Sequence, residues 1–226
     1  GLAAGTDYYV LNPGTGGSDA YLQLSTTLNG SAIDITSAGC GPHTIEVEGG
    51  GRKETLTNVL FGDVWLCGGQ SNMNWPVRLA QNAEEEVKAA TNTNIRSFTV
   101  NFYSALTPET LPPAARWERC EPEFSKNFTA VGYFFAREIQ KDLDVPIGLI
   151  GCNWGGTRIE PWTPPVGFQQ VPALKSISTN LANFPQKNAA GAINHQTALA
   201  IYNAMVHPIV PYGMRGALWY QGESNN

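Results

Sequence analysis

A serine inside a glycine-containing segment is the first residue whose position suggests chemistry. Ser71 follows a mostly apolar run that ends in Gly68-Gly69. A hydroxyl just past a buried strand, at the start of a helix, is exposed and suits a nucleophile. The segment is not a GxSxG elbow, because Met73 stands where the second glycine is expected. A serine that only caps the next helix is the alternative interpretation.

Two further polar segments, at residues 153–157 and 221–225, also follow apolar runs. Acyl transfer needs hydrogen-bond donors directed at the developing oxyanion. The backbone N–H of Gly155 or Gly156 and the side-chain amide of Gln221 are candidates beside the N–H of Ser71. A plain tight turn is the alternative for the glycines, and a hydrogen-bonded strand end is the alternative for Gln221.

The elements that must position these residues alternate along the chain. Apolar runs predict strands at residues 59–67, 95–100, 146–152 and 217–220, and helical patterns cover residues 76–90, 130–143 and 197–206. This alternation predicts a parallel sheet covered by helices on both faces. Ligands bind such sheets beyond the carboxyl ends of the strands, where the three polar segments are expected to converge. Residues 1–57 are rich in Gly, Thr and Ser and predict β-structure.

Several strings resemble one known family, the sialate O-acetylesterases. They are GDVWLCGGQSNM (62–73), PIGLI (146–150), WGGTRIEPW (154–162), YNAMVHP (202–208) and WYQGESN (219–225). The resemblance covers residues 58–226, and residues 41–47 resemble the end of the β-rich domain that precedes the hydrolase core in that family. It therefore implies a remnant of a β-domain at 1–57, followed at 58–226 by a hydrolase domain that is incomplete at its C-terminus.

The resemblance implies a three-layer α/β/α hydrolase of the SGNH type, with a flavodoxin-like parallel sheet. Such an enzyme removes acetyl groups from sugar hydroxyls without a metal or organic cofactor. By position, Ser71 matches the nucleophile, Gly155 or Gly156 matches the second oxyanion donor, and Gln221 falls in the third block. Glu223 lies in the same block and is expected to orient its neighbours or contact the sugar, with a purely structural role as the alternative.

Four residues are candidates for substrate binding: Gln70, Asn72, Trp154 and Arg158. Arg158 suits a carboxylate such as that of a sialic acid, and pairing with Glu160 is its alternative role. Tryptophans at 75, 154 and 162 suit stacking on a sugar ring, although tryptophans beside loops more often pack against helix ends.

The general base is the part that the sequence does not supply. In the family, the catalytic Asp and His lie in a DxxH segment downstream of the QGESN block, and no DxxH occurs here. The expectation is therefore the N-terminal portion of an esterase, with the remaining C-terminal part as a partner. His207 is expected to bond the end of a helix. His195 is a candidate for the cleft, and His43 is remote in sequence.

Composition limits the possible partners. Lys and Arg number 14 against 19 Asp and Glu, which gives a net charge of −5 and argues against nucleic acid and polybasic membrane binding. No apolar run is long enough for a membrane span. The 4 cysteines form no CxxC pair, which argues against a metal site. Sequons at Asn29 and Asn127 favour a glycoprotein that is secreted, periplasmic or lysosomal.

The leading interpretation is a serine esterase that acts on an O-acetylated sugar or glycan, most directly a sialate O-acetylesterase. The catalytic segments do not identify the sugar, so an acetyl xylan esterase or another polysaccharide deacetylase is an alternative. A third interpretation is a catalytically silent carbohydrate-binding protein that keeps the cleft but not the triad.

Overall fold

The computed structural model describes residues 9–11, 23–25, 42–49, 52–113 and 116–225. Two antiparallel pairs precede the main sheet: β1 (Tyr9–Leu11) with β2 (Gln23–Ser25), and β3 (His43–Gly49) with β4 (Arg52–Val59). The described parts of residues 1–57 therefore include the expected β-structure. The division into two domains stays a prediction.

The main sheet has five strands in the order β7-β6-β8-β5-β9. They are β5 (Asp63–Gly69), β6 (Ile95–Thr99), β7 (Trp117–Arg119), β8 (Ile147–Asn153) and β9 (Gly216–Tyr220). Four of them run parallel, and β7 is antiparallel at one edge. The sheet confirms the predicted α/β class. One predicted run, 59–67, is divided, because Val59 ends β4 and a new strand begins at Asp63.

Six α-helices are described: α1 (Ser71–Asn74), α2 (Ala83–Ala89), α3 (Pro122–Ser125), α4 (Ala130–Leu143), α5 (Pro165–Gln170) and α6 (Lys175–Ser178). Short 3-10 turns lie at Val77–Leu79, Glu160–Trp162, Pro172–Leu174, Leu181–Asn183, His207–Ile209 and Glu223–Asn225, and a π-helical turn lies at Tyr202–Val206.

The helix predictions had different outcomes. The structure confirms α4 with its predicted bounds, and Thr129 caps it by accepting a hydrogen bond from the N–H of Gly132 at 3.5 Å. The helix predicted over residues 76–90 is wrong in its first half, because Pro76 instead forms a β-bridge with Thr129. The helix predicted over 197–206 is wrong in its first part, because residues 197–199 form a bend and a turn, and its second part is the π-helical turn, which leads directly into the next 3-10 turn.

The core lies on both faces of the sheet. Leu149 of β8 packs in a cluster that includes Ala136 of α4, whereas Ile150, the next residue along the strand, packs in a cluster that includes Met205. Successive strand residues point to opposite faces, so a helical layer covers each side, as the three-layer expectation requires. Among the described residues, no helix is long and apolar enough to cross a membrane.

Candidate active site

Backbone hydrogen bonds join the ends of three parallel strands at one edge of the sheet. The N–H of Gln70 donates to the carbonyl of Tyr220 at 2.9 Å, and the N–H of Trp154 donates to the carbonyl of Gly69 at 3.0 Å. Gly69 has φ +140°, and a Cβ there would lie 2.0 Å from the Tyr220 oxygen. Only glycine fits at this close approach of the two strand ends. The approach brings the three predicted polar segments together.

Ser71 lies at this junction as the first residue of α1, with an exposed side chain. It borders a groove of about 380 Å³. The groove is lined by Ser71, Asn74, Trp75, Pro76, Arg78, Leu79, Asn127 and Gly155. The hydroxyl is therefore open to a ligand in this groove, as a nucleophile needs to be.

The two glycines that sequence could not separate have different surroundings. A Cβ on Gly155 would lie 3.5 Å from both Cα and Cβ of Ser71, so this backbone is directly against the serine. Gly156 has φ +74° and would meet nothing within 4 Å. Its carbonyl accepts a hydrogen bond from the Gln196 side chain. Position therefore favours Gly155 as the neighbour of a developing oxyanion, and it gives Gly156 the role of a turn residue.

A single carboxylate holds the two side chains that flank Ser71. Glu223 accepts hydrogen bonds from the amides of Gln70 and Asn72, the latter at 2.5 Å. Its own backbone N–H and these amides hold the pKa of Glu223 below its usual range, so the group stays ionised at neutral pH. Gln70 is 1% exposed and faces this carboxylate rather than solvent. Glu223 thus orients the segment that carries Ser71.

The amide of Gln221 is occupied by other partners. Its Nε2 donates to the carbonyl of Thr157 at 3.2 Å and to Oδ1 of Asn225 at 3.1 Å. An oxyanion contact from Gln221 would require one of these bonds to exchange. In this conformation Gln221 ties the third polar segment to the second, which is the alternative role that the sequence left open.

Trp154 lies in an aromatic stack. Its ring stacks on Phe102 with centroids 4.8 Å apart and on His195 with centroids 5.2 Å apart. Arg158 is exposed, and its backbone N–H donates to Gln196 at 3.2 Å. Neither Trp154 nor Arg158 is among the residues that line the groove.

The histidine rings that the structure describes have partners other than Ser71. Nδ1 of His207 lies 2.9 Å from the carbonyl of Glu109, which is a structural bond to a backbone carbonyl, and its ring meets Tyr202 edge to face. His195 stacks on Trp154. His43 lies in β3, and its side chain is outside the described atoms. Within the described part of the chain, no group of three His, Cys, Asp or Glu residues could hold a metal ion.

Sequence reasoning missed one wall of the groove. Arg78 and Asn127 are 49 residues apart, yet Nη1 of Arg78 donates to Oδ1 of Asn127 at 3.0 Å. The sequence marks Asn127 only as a sequon and predicts a helix at Arg78. No local pattern marks the pair, because backbone bonds between residues 75–78 and 126–130 bring it together.

Comparisons with known proteins agree on one family. Residues 61–226 match the family model described as carbohydrate esterase, sialic acid-specific acetylesterase. The chain is 34% identical over 176 residues to the human sialate O-acetylesterase and 33% identical over 203 residues to that of Rattus norvegicus. Each match covers 74% of this chain but only 32% and 36% of the two relatives.

A solved structure supports the same fold. The crystal structure of a carbohydrate acetylesterase from Xanthomonas citri matches with a TM-score of 0.71 at 33% identity, over 86% of this chain and 40% of that one. The chain thus spans roughly a third of the length of its curated relatives. The family model covers far more than half of the chain, and its match includes Ser71, Gly155 and Glu223. The chain therefore belongs to the carbohydrate esterase family of sialic acid-specific acetylesterases.

Proposed function

We propose that the chain carries the nucleophile and the oxyanion-binding residues of a serine esterase that removes O-acetyl groups from carbohydrates, most directly a sialate O-acetylesterase. The observation that carries the proposal is the position of Ser71. Its exposed hydroxyl borders a groove, and the backbone of Gly155 lies directly against it. The names of the relatives supply the acetyl ester and the carbohydrate.

The reaction proceeds in two balanced steps. Oγ of Ser71 attacks the acetyl carbonyl carbon and loses its proton to a base, while N–H groups at Ser71 and Gly155 stabilise the oxyanion. The bond from the acetyl carbon to the sugar oxygen then breaks, and that oxygen takes the proton from the base. Water then attacks the acetyl-serine and gives a proton to the base; the bond from the acetyl carbon to Oγ breaks, Oγ takes that proton, and acetate leaves with release of the remaining proton to solvent.

The general base is assigned from the resemblance to the esterase family alone. Both histidines with described rings have other partners, so we assign the base to a downstream Asp-x-x-His segment of the complete enzyme. Loss of a triad member costs several decades in rate. The proposal also includes a secreted, periplasmic or lysosomal location, which the low charged fraction of 15% supports.

A substrate profile tests the carbohydrate specificity. Acetate release is measured from O-acetylated sialic acid and from acetylated xylan, for the chain and for the complete gene product, with Ser71→Ala as the control. From the complete gene product we expect Ser71-dependent release that favours the acetylated sialic acid. From the chain we expect release that is several decades slower, because the base is assigned to the downstream segment. Preference for xylan would point to a polysaccharide deacetylase, and sugar binding without any release would point to a silent binding protein.

A further inference from the structure

One wall of the Ser71 groove is built by two chain segments that hold each other. The N–H groups of Val77 and Arg78 donate to the carbonyls of Phe128 and Lys126, both at 3.0 Å, and the N–H of Ala130 donates to the carbonyl of Trp75 at 2.8 Å. These bonds fix the backbone that carries the groove-lining side chains. The wall is therefore formed before any ligand arrives.

Arg78 presents a positive charge on this wall without a carboxylate partner. Its Nη1 bonds the neutral amide oxygen of Asn127, and its side chain is exposed. Among the described residues, no carboxylate lies within ion-pair distance of it. Two other arginines do have carboxylate partners, because Arg137 pairs with Glu86 and Arg119 pairs with Glu121 at 3.2 Å. Arg78 differs from the other unpaired arginines of the described chain in lining the groove that contains Ser71. Asn127 thus holds the guanidinium in place but leaves its charge and most of its donors free.

An aromatic ring stands in the same groove. Nε1 of Trp75 donates to the carbonyl of Leu79 at 2.9 Å, which fixes the indole, and 49% of the residue stays exposed. An indole face suits the apolar face of a sugar ring. A fixed guanidinium suits a carboxylate, which it binds through two parallel N–H donors.

We propose that Arg78 recognises a carboxylate on the acetylated sugar, so that the groove selects O-acetylated sugar acids over neutral acetylated sugars. The inference rests on the proposed function, because it assigns the acetyl group to Ser71 and the acid group to Arg78 in the same groove. It also moves carboxylate recognition from Arg158, where sequence reasoning placed it, to a residue that lines the groove. Sialic acids and uronic acids share the required chemistry.

The test compares an acid with its neutral ester. Calorimetric titration of the full chain, in a Ser71→Ala background that prevents turnover, uses 9-O-acetyl-N-acetylneuraminic acid, its methyl ester and an O-acetylated galacturonic acid. Arg78→Gln removes the charge, and Arg78→Lys keeps the charge but loses the planar fork. Arg215→Gln is the matched control, since Arg215 is exposed and lies beside the opposite end of the sheet, where its N–H bonds the Val64 carbonyl.

We expect Arg78→Gln to weaken binding of an acid by about tenfold and to leave binding of the methyl ester unchanged. Arg78→Lys should retain part of the affinity for the acid, and Arg215→Gln should alter neither ligand. Whichever acid shows the loss identifies the sugar class. The inference is overturned if the acid and its methyl ester bind with the same affinity, or if Arg78→Gln weakens the binding of both equally. It is also overturned if Arg158→Gln causes the selective loss instead, or if no ligand binds saturably.

Aryl acetate hydrolysis separates this inference from the proposed function, because an aryl acetate has neither a sugar ring nor a carboxylate. Ser71-dependent hydrolysis together with equal binding of acid and ester would remove the Arg78 inference alone. Absence of hydrolysis by the complete gene product, together with Arg78-dependent binding of the acid, would remove the esterase proposal and leave an acid-sugar binding site.

Discussion

At the scale of single residues, the site depends on what stands next to Ser71. Gly155 occupies the near side, and Glu223 holds both sequence neighbours of the serine through their amides. Ser71 itself is exposed and lines the groove. The arrangement therefore fixes the backbone around the nucleophile and leaves the reacting atom accessible, as preorganised oxyanion stabilisation requires.

The two adjacent glycines provide a matched pair of substitutions. Gly155→Ala puts a methyl group 3.5 Å from Ser71, which is an ordinary contact distance. We therefore expect its free energy of unfolding to lie within about 0.5 kcal/mol of that of the parent. Because that methyl narrows the space beside the nucleophile, we expect acetate release by the complete gene product to fall at least ~10-fold.

Gly156→Ala should show the opposite pattern. Its φ of +74° strains any L side chain, which costs about 1 kcal/mol, while the open space around it leaves activity nearly unchanged. Urea unfolding and acetate release on both variants check the pair. Identical behaviour of the two variants would contradict the assignment of Gly155 to the site.

At the scale of elements, the close approach of the carboxyl ends of the parallel strands β5 and β9 positions the active-site segment. Gly69→Ala should lower the free energy of unfolding by roughly 2 kcal/mol or more, because the backbone has φ +140° and the new Cβ would lie 2.0 Å from the Tyr220 oxygen. Gly213→Ala is the control, since its Cβ would meet nothing within 4 Å. Equal unfolding midpoints for the two variants in urea would show that the strand ends are not held as described.

The elements also show what sequence could predict. The helix α4 was predictable because Val131, Phe134 and Ile139 recur at helical spacing after a capping threonine. The prediction of a helix beginning at Pro76 is wrong because Pro76 forms a tertiary contact instead, the β-bridge with Thr129. Strand β7 was missed because it is only 3 residues long and carries no alternating pattern.

The same distinction applies to the site. Ser71 and the paired glycines were found because short motifs at strand ends carry them. The contact of Arg78 with Asn127 was not predictable, since it depends on pairing between segments about 50 residues apart. The occupied amide of Gln221 was equally hidden, because its partners are decided by packing rather than by spacing.

At the scale of the whole molecule, β9 forms one edge of the main sheet. It pairs with β5 alone among the described strands, and Trp219 and Tyr220 stay 47% and 49% exposed. Unpaired edges with exposed aromatic residues promote association between chains. We expect the apparent mass of the chain to rise with concentration in sedimentation velocity.

A charge on this edge should reduce that association. Ala217→Lys places a lysine on the exposed side of β9, two residues from Trp219, without removing a core contact. Val210→Lys is the control, since Val210 is 58% exposed and lies outside the strand. If both variants lower the association equally, or if neither lowers it, the β9 edge is not responsible for the association.

The proposed function depends most of all on Ser71 as the nucleophile of an acetylesterase. The most direct measurement is acetate release from an aryl acetate at neutral pH by the complete gene product, with Ser71→Ala and the exposed serine variant Ser176→Ala compared to the parent. We expect a loss of more than about 10³-fold for Ser71→Ala and none for Ser176→Ala. Undiminished release by Ser71→Ala would contradict the proposed function.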